Sequence, residues 1–331
     1  MIRTFRGHTD SIHQVAINRS GTKAVSISED GTGRVWDLAT AKELNTFRGH
    51  DDPIADIAIL PPIRHHTIPL VNKLSALARV VWQRLTSPSD SNLVITASRL
   101  TLKVWNIDTG EELHTFQVRN VRPSIGVTID GRCTISCTAG DPTKRDWILK
   151  IWNNLTGEEV GTLIGLNNVV TTNIKNSIGM LSDGLRVVAA ADDRTIKVWN
   201  LATSELLHSM SGHRDRLTVL TTTPQSDIVV SGSRDGNYKV WHAGYGEQLY
   251  SSWHPQAISS CRISEDGSHI VTTSADGHLR LSDLYTGKTI ADFTPDVALY
   301  CNDIAQDMSV IVAGDRTGLV HILRGVGPTF S

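Results

Sequence analysis

One short strand pattern, an apolar residue, a basic residue, an apolar residue and a tryptophan, returns along the chain and restricts it to a repeat architecture. It stands as Leu102, Lys103, Val104, Trp105; as Leu149, Lys150, Ile151, Trp152; as Ile196, Lys197, Val198, Trp199; and as Tyr238, Lys239, Val240, Trp241. Arg34, Val35, Trp36, Asp37 is the first copy. The tryptophans at 36, 105, 152, 199 and 241 lie 69, 47, 47 and 42 residues apart. The same strand recurs without tryptophan as Leu279, Arg280, Leu281, Ser282 and as Val320, His321, Ile322, Leu323, each copy 41 residues further on. Seven units follow. The first interval is long because residues 61–91 are inserted into unit two; without them the period is about 40 residues, the length of a four-stranded repeat.

Each unit reads as all-β. Segments such as 23–28 and 227–233 alternate with period two and end in the turns Glu29, Asp30, Gly31 and Arg234, Asp235, Gly236, so several short strands make up a unit. No helical pattern separates them as a parallel sheet would require. A single unit cannot bury both faces of its sheet, so the units stack, and a closed ring leaves only short, protected edges. The fold class is therefore an all-β, seven-bladed propeller formed by residues 1–331 as one domain.

Several units open on a glycine–histidine pair: Thr4, Phe5, Arg6, Gly7, His8 is echoed by Thr46, Phe47, Arg48, Gly49, His50 and by Ser211, Gly212, His213. With the Asp-Gly turns and the Trp36, Asp37 pair, these openings make nearly the whole chain resemble the WD40-repeat family. The resemblance implies ring closure by a shared blade, with residues 1–5 supplying the outer strand that the last unit lacks after Arg324. It also implies a structural tetrad of His8, Ser26, Asp30 and Trp36, repeated as His213, Ser231, Asp235 and Trp241, with a partial copy at His254, Thr272 and Asp276. Unit two keeps His50, Thr96 and Trp105 but has Leu100 near the expected aspartate, and units three and four lack the opening. Blades three and four are expected to be held less firmly than blades one and five, with faster amide exchange. The ending from Gly314 to Arg324 is similar to the last blade of C-terminal sensor propellers in bacterial signalling NTPases, which implies a sensor role.

Serine, histidine and aspartate also make a nucleophilic hydrolase site, the rival class. Recurrence of the set in several units favours a structural network, since an unpaired buried polar group costs about 1–3 kcal/mol, and no enzymatic activity is expected. There is no Walker-type phosphate loop: Gly157, Glu158, Glu159, Val160, Gly161 lacks the lysine and the helix. His65 and His66 read as polar surface residues rather than metal ligands, and no cofactor is expected. The four cysteines are too few and irregular for a disulfide framework, and Cys133 and Cys137 read as buried small hydrophobes. That usage, and an N-terminus without an apolar signal segment, leads to the expectation of a cytoplasmic protein.

Function is then expected to be recognition of a protein or peptide. A formal net charge of −2 gives no field for nucleic acid, the third class, whose signature would be steep salt dependence. By the resemblance, the partner platform is the face bearing the Gly-His and Asp-Gly loops. Asp10, Asp52 and Asp215 follow the blade openings there, with Asp51, Asp296, Asn168 and Gln256 at comparable places, and a basic partner side chain suits such a rim. Turn capping is the alternative role for these aspartates. Arg122, Arg214, Arg216, Lys144 and Arg145 lie at the same face, so an acidic or phosphorylated partner is the second ligand type. In the insertion, Leu70, Leu74, Leu77, Val81 and Leu85 form one stripe of a helix after Pro69. The stripe packs beneath its own blade or docks another subunit, with Trp82 as an anchor.

Overall fold

A computed structural model describes residues 3–60, 92–118, 121–128, 131–139, 147–154, 156–163, 177–191, 193–201, 203, 205–223, 226–294, 298–305, 307–326 and 329–330. The described strands form seven antiparallel sheets, and together they make a seven-bladed propeller. Blade one runs Ile12–Ile17, Lys23–Ser28, Gly33–Asp37 and Glu43–Phe47, from the inner strand to the outer. Blades two to six repeat that order, beginning with the inner strands Asp56–Ile59, Val121–Val127, Ile178–Met180, Leu217–Thr222 and Ile258–Ile263. Blade seven contains Leu299–Ile304, Val310–Asp315 and Val320–Val326, and its fourth strand is Arg3–Phe5 from the other end of the chain. Arg3 pairs with Ile322, Thr4 with His321 and Phe5 with Val320. A short strand, Thr329–Phe330, pairs with the end of Val320–Val326. The inserted residues 61–91, including the Leu70 to Leu85 stripe, lie outside the described residues.

The recurring tryptophan is the wedge between blades. Trp36 is buried and stacks on Phe5 of the closing strand, centroids 5.1 Å apart and planes 2° from parallel. Trp105 likewise stacks on Phe47 of blade one at 5.1 Å. In blades two and three the basic residue two places before the tryptophan stands over its ring: Lys103 and Lys150 lie 5.7 and 5.6 Å from the indole centroids of Trp105 and Trp152. Their ammonium groups reach Glu112 and Glu159 on the outer strand at 2.7 and 2.5 Å, and Arg34 meets Glu43 in the same way at 2.5 Å. A cation held over a π face and paired to a carboxylate accounts for the basic residue in the repeat.

Blade six has Ser282 at the tryptophan's place, and blade five compensates. In blade one, Gly33 faces Phe47 across the strand pair, and a Cβ on Gly33 would come within 3.0 Å of that ring. In blade five the sizes are exchanged: Tyr238 faces Ser252. The Tyr238 ring is buried against Ile258, Cys261 and Ile270 of blade six, restoring volume that the missing indole would have filled.

Near the channel, inner-strand side chains tie neighbouring blades together. Gln14 Nε2–H donates to the Ile57 carbonyl at 3.1 Å, Asp56 accepts the Ile125 N–H at 2.8 Å, and Ser124 accepts the Ser177 N–H at 2.8 Å. Ser260 accepts the Asn302 N–H at 3.4 Å, and Asp303 accepts the Ile17 N–H at 2.7 Å, joining blade seven to blade one. Arg262 stands 3.4 Å from Asp303. Burial drives the Asp56 carboxyl up to about 6, although the N–H groups of Ile125 and Ile57 hold it down, and it drives Asp303 up against the pull of Arg262.

Because Phe5 is both the stacking partner of Trp36 and part of the strand that completes blade seven, Phe5→Ala is expected to destabilise the fold by about 3–5 kcal/mol. Urea unfolding measures this, and a loss below about 1 kcal/mol would show that closure does not depend on the stack.

Candidate functional site

The tetrads begin as a problem of buried polar atoms. Ser26 lies on the second strand of blade one with no exposed surface, flanked by the indole of Trp36 and the imidazole of His8. Trp36 Nε1–H donates to Ser26 Oγ at 2.8 Å. Ser26 Oγ lies 2.8 Å from His8 Nε2, and His8 Nδ1 lies 2.8 Å from Asp30 Oδ2. The carboxylate only accepts, so His8 carries its proton on Nδ1 and Nε2 accepts the serine hydroxyl; one relay satisfies all three side chains. Asp30 also accepts the N–H groups of Thr9 and Thr32 and the Thr32 hydroxyl. Burial alone would raise its carboxyl, but these bonds and the one from His8 bring it down to about 2. The relay thereby pins the loop entering the blade to the turn between its second and third strands.

Blade five repeats the relay with Trp241, Ser231, His213 and Asp235 at 2.8, 2.8 and 3.2 Å. Blade six keeps Thr272, His254 and Asp276 at 2.9 and 3.3 Å. Blade two keeps Trp105, Thr96 and His50 at 2.8 and 2.7 Å. There Leu100 is exposed, and the shortened turn instead brings Thr101 Oγ1 to 2.8 Å from His50 Nδ1. A hydroxyl has replaced the carboxylate. Burial and the nearby Lys103 cation accordingly push His50 down to about 4. Among the described residues, blade three shows the Trp152 to Ser136 bond, 2.7 Å, and in blade four Ala189 occupies the hydroxyl's place. Blade seven uses a different buried group: Asp315 accepts from the backbone of Thr317 and Leu319 and stands 2.8 Å from His321.

The Ser26, His8, Asp30 distances would suit a hydrolase, but the environment does not. Ser26 Oγ is fully buried and already accepts the Trp36 N–H, so no substrate carbonyl can approach it. Among the described residues no three histidine, cysteine, aspartate or glutamate side chains form a metal-holding group, and the pair His65 and His66 lies outside them. Cys137, Cys261 and Cys301 are buried and Cys133 half-buried, none of them in a disulfide. No described helix is long and apolar enough to cross a membrane.

The relays fix the loops that carry the sequence-predicted rim residues. The Asp10 carbonyl accepts the Ser28 hydroxyl at 2.9 Å and its carboxylate accepts the Ser11 N–H at 2.7 Å. Asp215 is held in the same way by Ser233 at 3.0 Å and the Arg216 N–H at 2.7 Å, and the Gln256 carbonyl by Ser274 at 3.0 Å. Asp10, Asp51, Asp215, Arg214 and Arg216 are exposed and Asp52 is half-buried, so each of Asp10 and Asp215 both caps its turn and faces solvent. Asn168, Asp296, Lys144 and Arg145 lie outside the described residues, as does the side chain of Arg122. Sequence reasoning missed Asp56, Asp303 and Arg262; their signal was a charge in an otherwise apolar inner strand. It also missed Arg194, which stands where other blades have the glycine of the Asp-Gly turn.

Fold and repeated relay together define the class: a seven-bladed β-propeller whose blades one, two, five and six share a buried hydroxyl–histidine relay. Comparison with known proteins agrees. The family model "WD domain, G-beta repeat" matches residues 1–37, 160–200, 204–242 and 246–283. The chain is similar to nuclear distribution protein PAC1 of Arthroderma otae, 29% identical over 264 residues, covering 72% of this chain and 51% of that protein. It is 22% identical over 311 residues to human WD repeat-containing protein 37, covering 90% of this chain and 53% of the relative. It is also 21% identical over 271 residues to the serine-threonine kinase receptor-associated protein of Gallus gallus, covering 76% and 72%. The chain spans about half the length of the first two of these relatives.

Two predictions follow from the relays. Ser26→Ala removes both the acceptor for Trp36 and the donor to His8, so it should cost about 1–3 kcal/mol for each group left unpaired, whereas Ser136→Ala in blade three breaks a single bond and should cost less. Equal losses in denaturant unfolding would mean that the hydroxyl is not the node. Acid stability gives the second test. Burial lowers the titration of His8, His50, His213 and His254 below the ordinary 6.5, so on acidification the unfolded chain takes up these protons first. Stability is full above pH 6.5 and falls as the pH drops toward about 4, where His50 titrates. Asp56, raised from 3.8 to about 6, acts in the opposite sense over that window, and Asp303 shares its direction, but they are fewer. A urea midpoint that rises between pH 6.5 and 5 would contradict this balance.

Proposed function

We propose that the chain is a non-catalytic interaction scaffold that holds a protein or peptide partner on the face formed by the blade openings and the Asp-Gly turns. One observation carries the reading: the buried relays leave no accessible nucleophile yet hold Asp10 and Asp215 at equivalent, exposed places on two blades. A platform of rigid, charged loops suits recognition because little side-chain and loop entropy is lost when a partner binds. The names of the relatives fit this, since one of them is described as receptor-associated. Cysteines outside any disulfide suit a reducing, cytoplasmic setting. A sensor role within a longer signalling protein rests on the resemblance of the ending from Gly314 to Arg324 alone.

The test compares partners captured from host lysate by the intact chain and by an Asp10→Lys, Asp52→Lys, Asp215→Lys variant whose folding is confirmed by its unfolding transition. Partners recognising the acidic rim should be lost from the variant. If they all remain, the rim is not the docking surface and the stripe from Leu70 to Leu85 takes its place. A hydrolase would instead lose activity, with its stability intact, on Ser26→Ala.

A further inference from the structure

The turn before the third strand of a blade needs a left-handed residue, and glycine fills that place in four blades: Gly31, Gly236, Gly277 and Gly318, with φ of 79, 82, 88 and 85°. Blade four departs from this. Arg194 occupies the same turn position at φ 70°, a conformation with a steric cost that glycine avoids. Its guanidinium is turned toward the next blade, where Nη1–H donates to the Arg214 carbonyl at 3.1 Å. That bond sets Arg194 beside the loop bearing Arg214 and Arg216. The Arg234 N–H donates to the Arg216 carbonyl at 2.9 Å, which brings a fourth arginine to the same junction. All four are exposed.

Two of the neighbouring carboxylates are engaged elsewhere, and the third, Asp215, caps its own turn while facing solvent. Asp193 meets Lys197 at 3.2 Å and accepts the Thr195 N–H. Asp235 is held by His213, the Arg214 N–H and the Asn237 N–H, and Asp215 caps the Arg216 N–H. Among the described residues, none of the four arginines forms an ion pair with a carboxylate. Three adjoining loop segments, joined by these bonds, thus bring four exposed arginines to the junction of blades four and five, with Asp215 between two of them.

We propose that Arg194, Arg214, Arg216 and Arg234 bind a phosphorylated side chain within a peptide segment of a protein partner, an inference that rests on the interaction-platform reading above. A phosphate carries up to two charges and three acceptor oxygens, so one group can engage several arginine forks at once. A nucleic-acid backbone fits less well. The same face carries Asp10, Glu29, Asp51 and Asp52 around blades one and two, and a polyanion extending from the patch would meet them.

Arg194→Gly is the decisive variant, because it restores the residue that the sister turns use and so leaves the fold intact or firmer. The probe is a fluorescent peptide library with one fixed phosphoserine and degenerate flanks, read by anisotropy beside the same library carrying serine. The phosphorylated library should bind preferentially. Arg194→Gly and the double variant Arg214→Ala, Arg216→Ala should each weaken it roughly tenfold to a hundredfold, without lowering the Tm of Arg194→Gly. Equal binding of the two libraries, or an unchanged affinity in Arg194→Gly, overturns the assignment. Tighter binding of single-stranded polynucleotide than of phosphopeptide overturns it in favour of nucleic acid. Lysate capture with and without phosphatase separates this inference from the reading beneath it: partners that persist after phosphatase sink the phosphate site alone, and an intact chain that captures nothing sinks the platform as well.

Discussion

A hydroxyl oxygen with no contact with water organises much of this molecule. Ser26 in blade one and Ser231 in blade five, like Thr96 in blade two, receive an indole N–H on one side and meet an imidazole nitrogen on the other. Remove that oxygen and two buried groups lose their partners together, which is why the arrangement recurs as a unit. The indole reaches outward to the preceding blade and the imidazole reaches up to the loops. Stacking of blades and the shape of the loop-bearing face therefore depend on the same atom.

The chain tolerates variation in this device only where something else fills the place. Blade six gives up the tryptophan for Ser282, and Tyr238 from blade five moves into the vacated volume. Blade two gives up the aspartate, and the Thr101 hydroxyl meets the histidine without a charge. Blade seven gives up the histidine of its opening and builds a separate cage around Asp315. In each substitution volume or polar satisfaction is retained while chemical identity changes, as expected of a structural network.

The third strand of blades one to five was legible in the sequence because it must place a tryptophan, a cation and alternating apolar residues in fixed order; Lys103 and Trp105 follow from that requirement, while the partner Glu112 on the next strand does not. The inner strands were not legible. They lie against the channel and both neighbours, so Asp56 and Ser124 serve equivalent joints with different side chains and leave no motif. The rim was legible in part: Asp10 and Asp215 follow the openings, but Leu100 was assigned the place that Thr101 takes, because the contact depends on turn length rather than residue order. Arg194 escaped notice because a lost glycine is a weaker signal than a gained motif.

The pairing of Arg3 with Ile322 bears on how the chain reaches this shape. It joins residues at nearly opposite ends of the numbering, so its loop-closure entropy is among the largest the chain meets, and topologies with such pairings fold slowly. Six blades can each assemble from local contacts beforehand, while the seventh waits with the edge of Val320–Val326 unfilled. That edge has bare backbone groups able to accept the equivalent strand of a second molecule. Concentration during refolding therefore selects between a ring closed by its own strand and rings that exchange strands, with the same hydrogen bonds made in either outcome.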